Sequence, residues 1–351
     1  MESTVTRRNV LKAGVAAAVG GAASLVAKPA RAQTKTTKLR MQTHWPSGVG
    51  YYKPHYLGFA QRVKEASNGE IDITPLPANS VVPTKNILEA VGQGLIDMSH
   101  SWPAYWIGQI PVAGHLNGQL FTWDNFEELY VFMYEMGGLD IIRKAYAERG
   151  VHIVGIYSVG GITLFSKKPL VNLSDFKGFK VRATGIPSKV FSKMGATPIY
   201  FPGAEVYQAL QTGVCDGAYW GSVAGGWEMK FQEVTKYIIL PFLSHQNIGE
   251  ILMNKKVWDA LPNDQKRLLE DCTHAMNALS NPWYVYRDYI HMKEFTSSQF
   301  KGEIVTMNPD TVSLFRKYSM DVVDEYSKLD PKYCGEVGAL LHKFMKMTGK
   351  I

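Results

Sequence analysis

The stretch ILEAVGQGLIDMS, residues 87–99, contains a pattern that returns in VYQALQTGVCDGA, residues 206–218. The shared pattern is Ala90-Val91-x-x-Gly94-x-x-Asp97 in the first stretch and Ala209-Leu210-x-x-Gly213-x-x-Asp216 in the second. A glycine directly after a run with helical apolar spacing is typical of a helix C-terminus. Each copy therefore predicts a helix that ends at its glycine and leads into a strand. The repetition predicts two lobes of related build.

The first copy completes a βαβαβ opening. Apolar residues alternate with polar ones in strand-like segments and recur at helical spacing in the segments between them. The predicted elements are strands at 38–44, 71–75 and 96–99 and helices at about 56–66 and 87–95. Sequential alternation of this kind is typical of an α/β sheet with flanking helices.

A second α/β unit begins near Gly160. The predicted strands are 153–157, 164–166, 180–183 and 199–201, with a helix at 188–194, and from Gln265 onward the chain is mainly helical. Aromatic residues follow both copies of the repeat, where strand-end loops line a crevice, so both loops are expected to face one ligand cleft between the lobes. The predicted domains are lobe I at 33–158 plus about 246–288, and lobe II at 159–245 plus the C-terminal helices at about 289–351.

The N-terminus has the features of a twin-arginine signal peptide. Arg7 and Arg8 precede a weakly apolar run at 13–27, and Ala30-Arg31-Ala32 offers small residues for cleavage. This run is too short and too poor in large apolar residues for a membrane span. We expect export to the periplasm and cleavage after about Ala32, which makes residues 1–32 the signal peptide.

Charge and cysteine content argue against three classes of protein. The signal carries five basic residues against one acidic residue, so its removal lowers the formal charge from +7 to +3. A mature chain so nearly neutral gives no electrostatic case for nucleic acid. The three cysteines, Cys215, Cys272 and Cys334, are widely spaced, which fits neither a disulfide framework nor a zinc site.

Motifs of hydrolases, metalloenzymes and nucleotide-binding proteins were not found in the sequence. The nine histidines are scattered without ligand spacing, and surface or hydrogen-bonded positions are expected for them. What remains is an arginine at a strand end, Arg182, with a set of aromatic residues. An arginine fork matches a carboxylate and stays charged, so the sequence predicts a binding protein and no enzyme. A periplasmic enzyme on the same fold stays open as an alternative.

Over essentially its whole mature length, the chain resembles the substrate-binding proteins of TRAP transporters, the DctP-type family. The resemblance rests on Leu173-Ser174-Asp175 with Lys177-Gly178-Phe179-Lys180-Val181-Arg182, on Gly195-Ala196-Thr197-Pro198, on residues 205–217, and on Asn254-Lys255-Lys256-Val257-Trp258 with Leu261-Pro262. It implies a two-lobed periplasmic binding protein whose lobes are joined by crossing strands and a long helix. It also implies capture of a small organic acid and delivery to the membrane permease subunits. A sensory receptor as recipient stays open.

The resemblance assigns roles to Arg182 and Glu89. An arginine at the position of Arg182 typically clamps the ligand carboxylate, and the alternative is a structural salt bridge. Glu89 lies where members of the family often carry a glutamate that faces the cleft, although a solvated position on the helix surface is nearly as plausible.

The sequence departs from the commonest family pattern at Tyr219 and Trp220. The tryptophan resembles the subgroup that binds 2-oxo acids and related monocarboxylates, in which the preceding residue is a carboxylate that helps to hold a cation. Tyr219 cannot supply that charge. No cofactor and no metal are therefore assigned, while Na⁺ or Ca²⁺ beside Tyr219 and Trp220 stays open. Tyr219 is either a hydroxyl donor to the ligand or a packing wall.

Several aromatic side chains are candidates for the wall of the cleft. They are Trp45, Tyr105 and Trp220, with Trp102 as a further candidate, and Gln246 is expected to donate a hydrogen bond at the boundary between the lobes. Aromatic residues beside a single arginine favour a monocarboxylate, because a second carboxylate would call for a second cation. The chain is expected to be a monomer or a homodimer through the C-terminal helix.

Overall fold

A computed structural model describes residues 36–351 except 46, 49, 51, 117–118, 202 and 247, with the backbone alone at 52 and 204. The predicted signal peptide and its cleavage site lie outside the described residues. The strands are β1 Thr37–Thr43, β2 Ile71–Leu76, β3 Met98–Ser101, β4 Val151–Ser158, β5 Ile162–Ser166, β6 Lys180–Arg182, β7 Thr197–Ile199, β8 Gly217–Trp220, β9 Tyr237–Ser244, β10 Ile248–Asn254 and β11 Glu303–Thr306. The helices are α1 Gly58–Ala66, α2 Ile87–Gln93, α3 Phe126–Tyr130, α4 Gly138–Ala147, α5 Ile186–Lys193, α6 Val206–Thr212, α7 Val223–Glu228, α8 Lys255–Ala260, α9 Asn263–Phe295, α10 Pro309–Leu329 and α11 Tyr333–Met347.

Two mixed sheets organise the described chain. The first has the order β2-β1-β3-β10-β4, with β1, β2 and β3 parallel and β10 antiparallel to its neighbours. The second has the order β11-β9-β5-β8-β6-β7, with β6, β7 and β8 parallel and β5 antiparallel to β8 and β9. The predicted α/β fold with one sheet in each lobe is confirmed.

The sequence repeat has the same structural role in both sheets. Gly94 and Gly213 end α2 and α6 in the left-handed conformation, at φ values of 78° and 80°, which glycine adopts without steric cost. The Asp97 carboxylate then accepts a hydrogen bond of 2.7 Å from the backbone N–H of Arg40, on β1. The Asp216 carboxylate accepts one of 3.1 Å from the N–H of Lys180, on β6. Each aspartate thus ties its helix-to-strand junction to the neighbouring strand.

Crossing strands and a long helix join the two sheets. The chain passes between the sheets from β4 to β5 and from β9 to β10. Helix α9 contacts both lobes. Near its middle, the Asn277 amide nitrogen donates to the Ile156 carbonyl on β4 over 2.7 Å. Further along, the Asp288 carboxylate accepts from the Ala224 N–H at the start of α7 over 2.8 Å.

Some elements differ from the sequence prediction. Strands β9, β10 and β11 were not predicted, and the strand predicted at 199–201 occupies Thr197–Ile199 instead. The C-terminal helices divide their contacts, since α10 packs on α5 while α11 packs on α4. The lobe boundaries inside the chain stay a prediction.

The described cysteines, Cys215, Cys272 and Cys334, are free and buried. Among the described helices, none is long and apolar enough to cross a membrane.

Candidate ligand-binding site

The predicted site residues cluster where parallel strands of the two sheets end. His44 and Trp45 follow β1, while Trp102 and Tyr105 follow β3. In the second sheet Arg182 is the last residue of β6, and Trp220 is the last residue of β8. Ligands of open α/β sheets bind outside the carboxyl ends of the strands, so this geometry matches the predicted cleft.

Arg182 reaches the cleft with its charge uncompensated by a carboxylate. Its Nε and Nη2 atoms lie 3.4 Å from the Phe201 carbonyl oxygen, and its Nη1 atom lies 3.4 Å from the Tyr219 carbonyl oxygen. No ion pair links it to any described residue, which argues against the structural salt bridge. Burial lowers the pKa of the guanidinium, although arginine keeps its charge. Long hydrogen bonds to carbonyl dipoles leave this fork free to bind an anion.

Trp220 and Tyr219 lie on opposite faces of β8, as neighbouring strand residues do. The Trp220 ring lies 5.1 Å from the Arg182 guanidinium carbon, within the range of a cation–π interaction. Tyr219 is 5% exposed, and its buried hydroxyl has no hydrogen-bond partner among the described residues. Burial raises the pKa of Tyr219, against the smaller opposing effect of the Arg182 charge. The tyrosine therefore presents a neutral hydroxyl near the arginine.

His44 is the centre of the aromatic cluster on the first lobe. Its ring centroid lies 4.1 Å from that of Trp45, 5.7 Å from Tyr105 and 6.1 Å from Trp102. Its Nδ1 atom lies 3.3 Å from the His100 carbonyl oxygen. Burial lowers the pKa of His44 to about 3, so the ring is neutral near pH 7. The structure thus brings together three aromatic residues predicted for the cleft and adds a histidine.

Two tyrosines surround Arg182 from opposite sides of the cleft. Tyr105 comes from the first lobe, and its side chain is 42% exposed. The surrounding protein nevertheless raises the pKa of its hydroxyl, while the Arg182 charge opposes this shift. Tyr200, just after β7, is 67% exposed and also acts on the pKa of Arg182. Sequence reasoning missed Tyr200 because its strand was placed at 199–201, which made this residue part of the sheet.

Glu89 and Gln246 have local partners. Glu89 is exposed on α2 and accepts a hydrogen bond of 2.9 Å from Gln93 on the same helix. No hydrogen bond or ion pair joins it to Arg182 within the described chain. Gln246 is buried at the crossing strands, where its side-chain oxygen accepts from the Ser158 hydroxyl over 2.6 Å. Donation of a hydrogen bond by the Gln246 side-chain amide stays a prediction.

The described side chains beside Tyr219 and Trp220 form no cluster of metal ligands, and Na⁺ or Ca²⁺ held together with the ligand stays open. No group of three or more His, Cys, Asp or Glu side chains suited to a metal ion occurs in the described part of the chain. The Tyr219 hydroxyl is neutral, and the Arg182 charge would repel a cation. We therefore assign no role to a metal here.

The expectation that histidines are surface or hydrogen-bonded residues is wrong for part of the set. His55, His100 and His115 are fully buried, and their ring nitrogens lack partners among the described residues. The His100 ring stacks 3.9 Å from Tyr157, and the His55 ring 5.0 Å from Tyr284. These side chains are packed as neutral aromatic rings, which sequence spacing alone does not show.

The two lobes also contact each other through Gly50 and Glu228. The Gly50 backbone N–H, in the segment after β1, donates to the Glu228 carboxylate over 3.0 Å, and Glu228 lies at the end of α7. A Cβ atom at position 50 would lie 1.9 Å from a Glu228 oxygen, so this contact requires glycine or a shift of the glutamate.

A cleft between two α/β lobes, with one uncompensated arginine and an aromatic wall, defines a solute-binding protein. Residues 43–329 match the family described as bacterial extracellular solute-binding protein, family 7, also called DctP. The chain belongs to this family, whose members are periplasmic. The family predicted from the sequence is confirmed.

Several characterised proteins are similar to this chain. The monocarboxylate 2-oxoacid-binding periplasmic protein of Nostoc sp. is 27% identical over 300 residues, which cover 84% of this chain and 80% of that protein. A TRAP solute-binding protein of Pseudoalteromonas atlantica, solved with sodium and pyruvate, has a TM-score of 0.79 at 21% identity, covering 90% of this chain and 95% of that one. A TRAP solute-binding protein of Colwellia psychrerythraea, solved with calcium and pyruvate, has the same TM-score, identity and coverage.

Proposed function

We propose that this protein captures an organic monocarboxylate in the periplasm and delivers it to the permease subunits of a TRAP transporter. The desolvated guanidinium of Arg182 carries the proposal, because no described carboxylate neutralises it. A ligand carboxylate would supply that charge in two parallel hydrogen bonds. The related proteins named above for 2-oxo acids and pyruvate support this ligand class.

The aromatic wall narrows the ligand class. Trp220 lies beside Arg182, and Trp45, Trp102 and Tyr105 surround His44 on the facing lobe. These side chains favour a ligand with one carboxylate and a small apolar or unsaturated body, such as a 2-oxo acid. A dicarboxylate would leave its second charge in contact with neutral rings, which is costly without a partner.

The experiment is thermal unfolding of the exported protein with a panel of 2-oxo, 2-hydroxy, aromatic and dicarboxylic acids. A ligand that binds only the native state stabilises it by about 2.7 kcal/mol at a hundredfold excess over its dissociation constant. We expect a shift with monocarboxylates that Arg182→Ala abolishes. Arg182→Lys keeps the charge without the planar fork and is expected to retain a reduced shift.

The same assay is repeated with Na⁺, with Ca²⁺ and with a chelator. Because Tyr219 is neutral, we expect the ligand-induced shift to be independent of either cation. An undiminished shift in Arg182→Ala, or no shift with any acid, would overturn the assignment of Arg182 as anchor. Turnover of the bound acid by the purified protein would instead support an enzyme.

Export and assembly are part of the proposal. Twin-arginine export predicts a mature N-terminus at about Gln33, which N-terminal sequencing of the periplasmic protein tests. Replacement of Arg7 and Arg8 by Lys should retain the uncleaved precursor in the cytoplasm. The predicted dimer through the C-terminal helix stays a proposal, and the apolar residues of α11, such as Leu341 and Phe344, are buried within the chain.

A further inference from the structure

His44 is a polar side chain within the aromatic cluster of the first lobe, directly after β1. The residue is 8% exposed, and its ring packs against Trp45, Trp102 and Tyr105. Tyr105 places this cluster opposite the anchor of the second lobe, because its hydroxyl and the Arg182 guanidinium each shift the pKa of the other. His44 therefore belongs to the part of the first lobe that borders the cleft.

The hydrogen bond of the His44 ring fixes its tautomer. The Nδ1 atom lies 3.3 Å from the backbone carbonyl oxygen of His100. A carbonyl oxygen can only accept a hydrogen bond, so Nδ1 must carry a proton and donate. Burial lowers the pKa of His44 to about 3, and a neutral imidazole ring has a single N–H. The Nε2 atom is therefore unprotonated and can only accept.

The Nε2 atom of His44 has no donor within the described chain. The bond to the His100 carbonyl is the one hydrogen bond that this ring makes to a described residue. The ring nitrogens of His100 are sealed from solvent, whereas Nε2 of His44 is not. An acceptor in such a buried place is costly without a donor, so a bound ligand that supplies an O–H or N–H gains affinity there.

We propose that the site selects monocarboxylates whose body carries an O–H or N–H group, and that Nε2 of His44 accepts the hydrogen bond from this group. The inference rests on the proposed function and narrows its ligand class, since Arg182 holds the carboxylate while His44 recognises the rest of the molecule. A 2-oxo acid offers only acceptors, so its oxo oxygen and Nε2 would repel each other. The hydroxyls of Tyr105 and Tyr219 do not discriminate in this way, because a hydroxyl can donate or accept.

The test is calorimetric titration of the exported protein with two series of acids. The first series is lactate, pyruvate and propionate, and the second is 3-hydroxybutyrate, acetoacetate and butyrate. In at least one series, the hydroxy acid should bind about tenfold more tightly than the oxo acid and the unsubstituted acid, because it alone can donate to Nε2. The series that shows the preference tells how far from the carboxylate the donor must lie.

Substitutions of His44 test whether this residue causes the preference. His44→Phe keeps an aromatic ring and removes the acceptor, so it should weaken binding of the hydroxy acid about tenfold and leave binding of the oxo acid nearly unchanged. His44→Gln offers an amide oxygen as acceptor and should restore part of the preference. His115→Phe is the matched control, because His115 is also a buried histidine but packs beside Tyr326 on α10. It should preserve the preference, and thermal unfolding shows whether each variant is folded.

The tautomer is tested without any ligand. Nitrogen NMR of the labelled protein distinguishes a protonated ring nitrogen from an unprotonated one, and the His44 signals are those that His44→Phe removes. Near pH 7 we expect a proton on Nδ1 and none on Nε2. A proton on Nε2 would overturn the proposal, because the ring would then present a donor to the cleft.

Two binding results would also overturn it. One is the absence of any preference for the hydroxy acid in both series. The other is an equal loss of affinity for the hydroxy and oxo acids in His44→Phe, which would make His44 a packing residue. In both cases the proposed function would stand if Arg182→Ala still abolished binding of every acid. A protein that binds no acid would contradict the proposed function itself, and this inference with it.

Discussion

Replacement of His55 by Phe should make the protein more resistant to acid. His55 lies in the π-helical turn Tyr52–Leu57 and is fully buried, stacked on Tyr284. Its ring nitrogens have no hydrogen-bond partner among the described residues, and burial lowers its pKa to about 3. Phenylalanine keeps the aromatic packing and cannot take up a proton.

The magnitude follows from the difference between the folded and unfolded pKa values of His55. Above pH 6.5, its ordinary pKa, the ring is neutral in both states. Below that pH the unfolded chain takes up a proton, while the folded protein does not until about pH 3. The free energy of unfolding therefore falls by about 1.4 kcal/mol per pH unit in this window. At pH 5 the loss from His55 is about 2 kcal/mol.

The assay is urea unfolding of the wild type and of His55→Phe at pH 7 and pH 5. The wild type should lose about 2 kcal/mol more than the variant between these two pH values. Phe59→Leu, a substitution of a buried residue one turn later, is the control, because it changes core packing without changing proton uptake. Equal losses in the wild type and His55→Phe would refute the conclusion that burial keeps His55 neutral.

Three further substitutions test single groups at and near the cleft. Burial raises the pKa of Glu250 to about 8, so the free energy of unfolding of the wild type falls as pH rises from 4.5 toward 8. Between pH 4.5 and 7, the wild type should therefore lose about 3 kcal/mol more than Glu250→Gln, as measured by urea unfolding. Trp220→Ala should raise the ligand dissociation constant roughly tenfold by calorimetry, because the ring lies over Arg182, and Trp220→Phe should retain most of the affinity. Tyr219→Phe removes a buried hydroxyl that has no partner among the described residues, so it should stabilise the ligand-free protein by about 1 kcal/mol. It should also weaken ligand binding, because the hydroxyl would no longer donate to the ligand. Unchanged affinity would mean that Tyr219 only packs against its neighbours.

The parts of the fold that depend on local sequence were predictable. Gly94 and Gly213 end helices because only glycine adopts the left-handed conformation without cost, and that requirement is visible in the sequence. The strands that come after these helices, β3 and β8, were predicted from the same sequence repeat.

Strands β9, β10 and β11 depend on distant partners and were not predicted. β10 pairs with β3 and β4, and all of its residues are buried, including Glu250. A buried carboxylate in a strand has no sequence signature of its own. β11 is short and mostly exposed, and it pairs with β9 across α9 in the sequence. Pairings of this kind are decided by tertiary contacts, which a single sequence does not record.

The candidate site was predictable in type and only partly in detail. The positions of the predicted strand ends and the aromatic content of the sequence indicated three of the site residues, Arg182, Trp220 and Tyr105. His44 was dismissed with the other histidines, although it directly precedes Trp45 at the end of a strand. Its neutrality depends on burial by Trp45, Trp102 and Tyr105, and that burial arises only when two strands that are far apart in sequence lie side by side.

In the proposed function, the charge on Arg182 would couple ligand binding to contact between the lobes. The Gly50–Glu228 hydrogen bond joins the lobes, burial desolvates Arg182, and Tyr105 from the first lobe lies near enough to Arg182 for each group to shift the pKa of the other. Without an anion, the cost of desolvating Arg182 opposes closure of the lobes. A ligand carboxylate that pairs with the guanidinium would make closure favourable instead. A ligand favours the closed state only through contacts that the open state lacks. We propose that discrimination between acids of equal charge depends on Tyr105 and His44 of the first lobe, because the arginine fork matches any carboxylate.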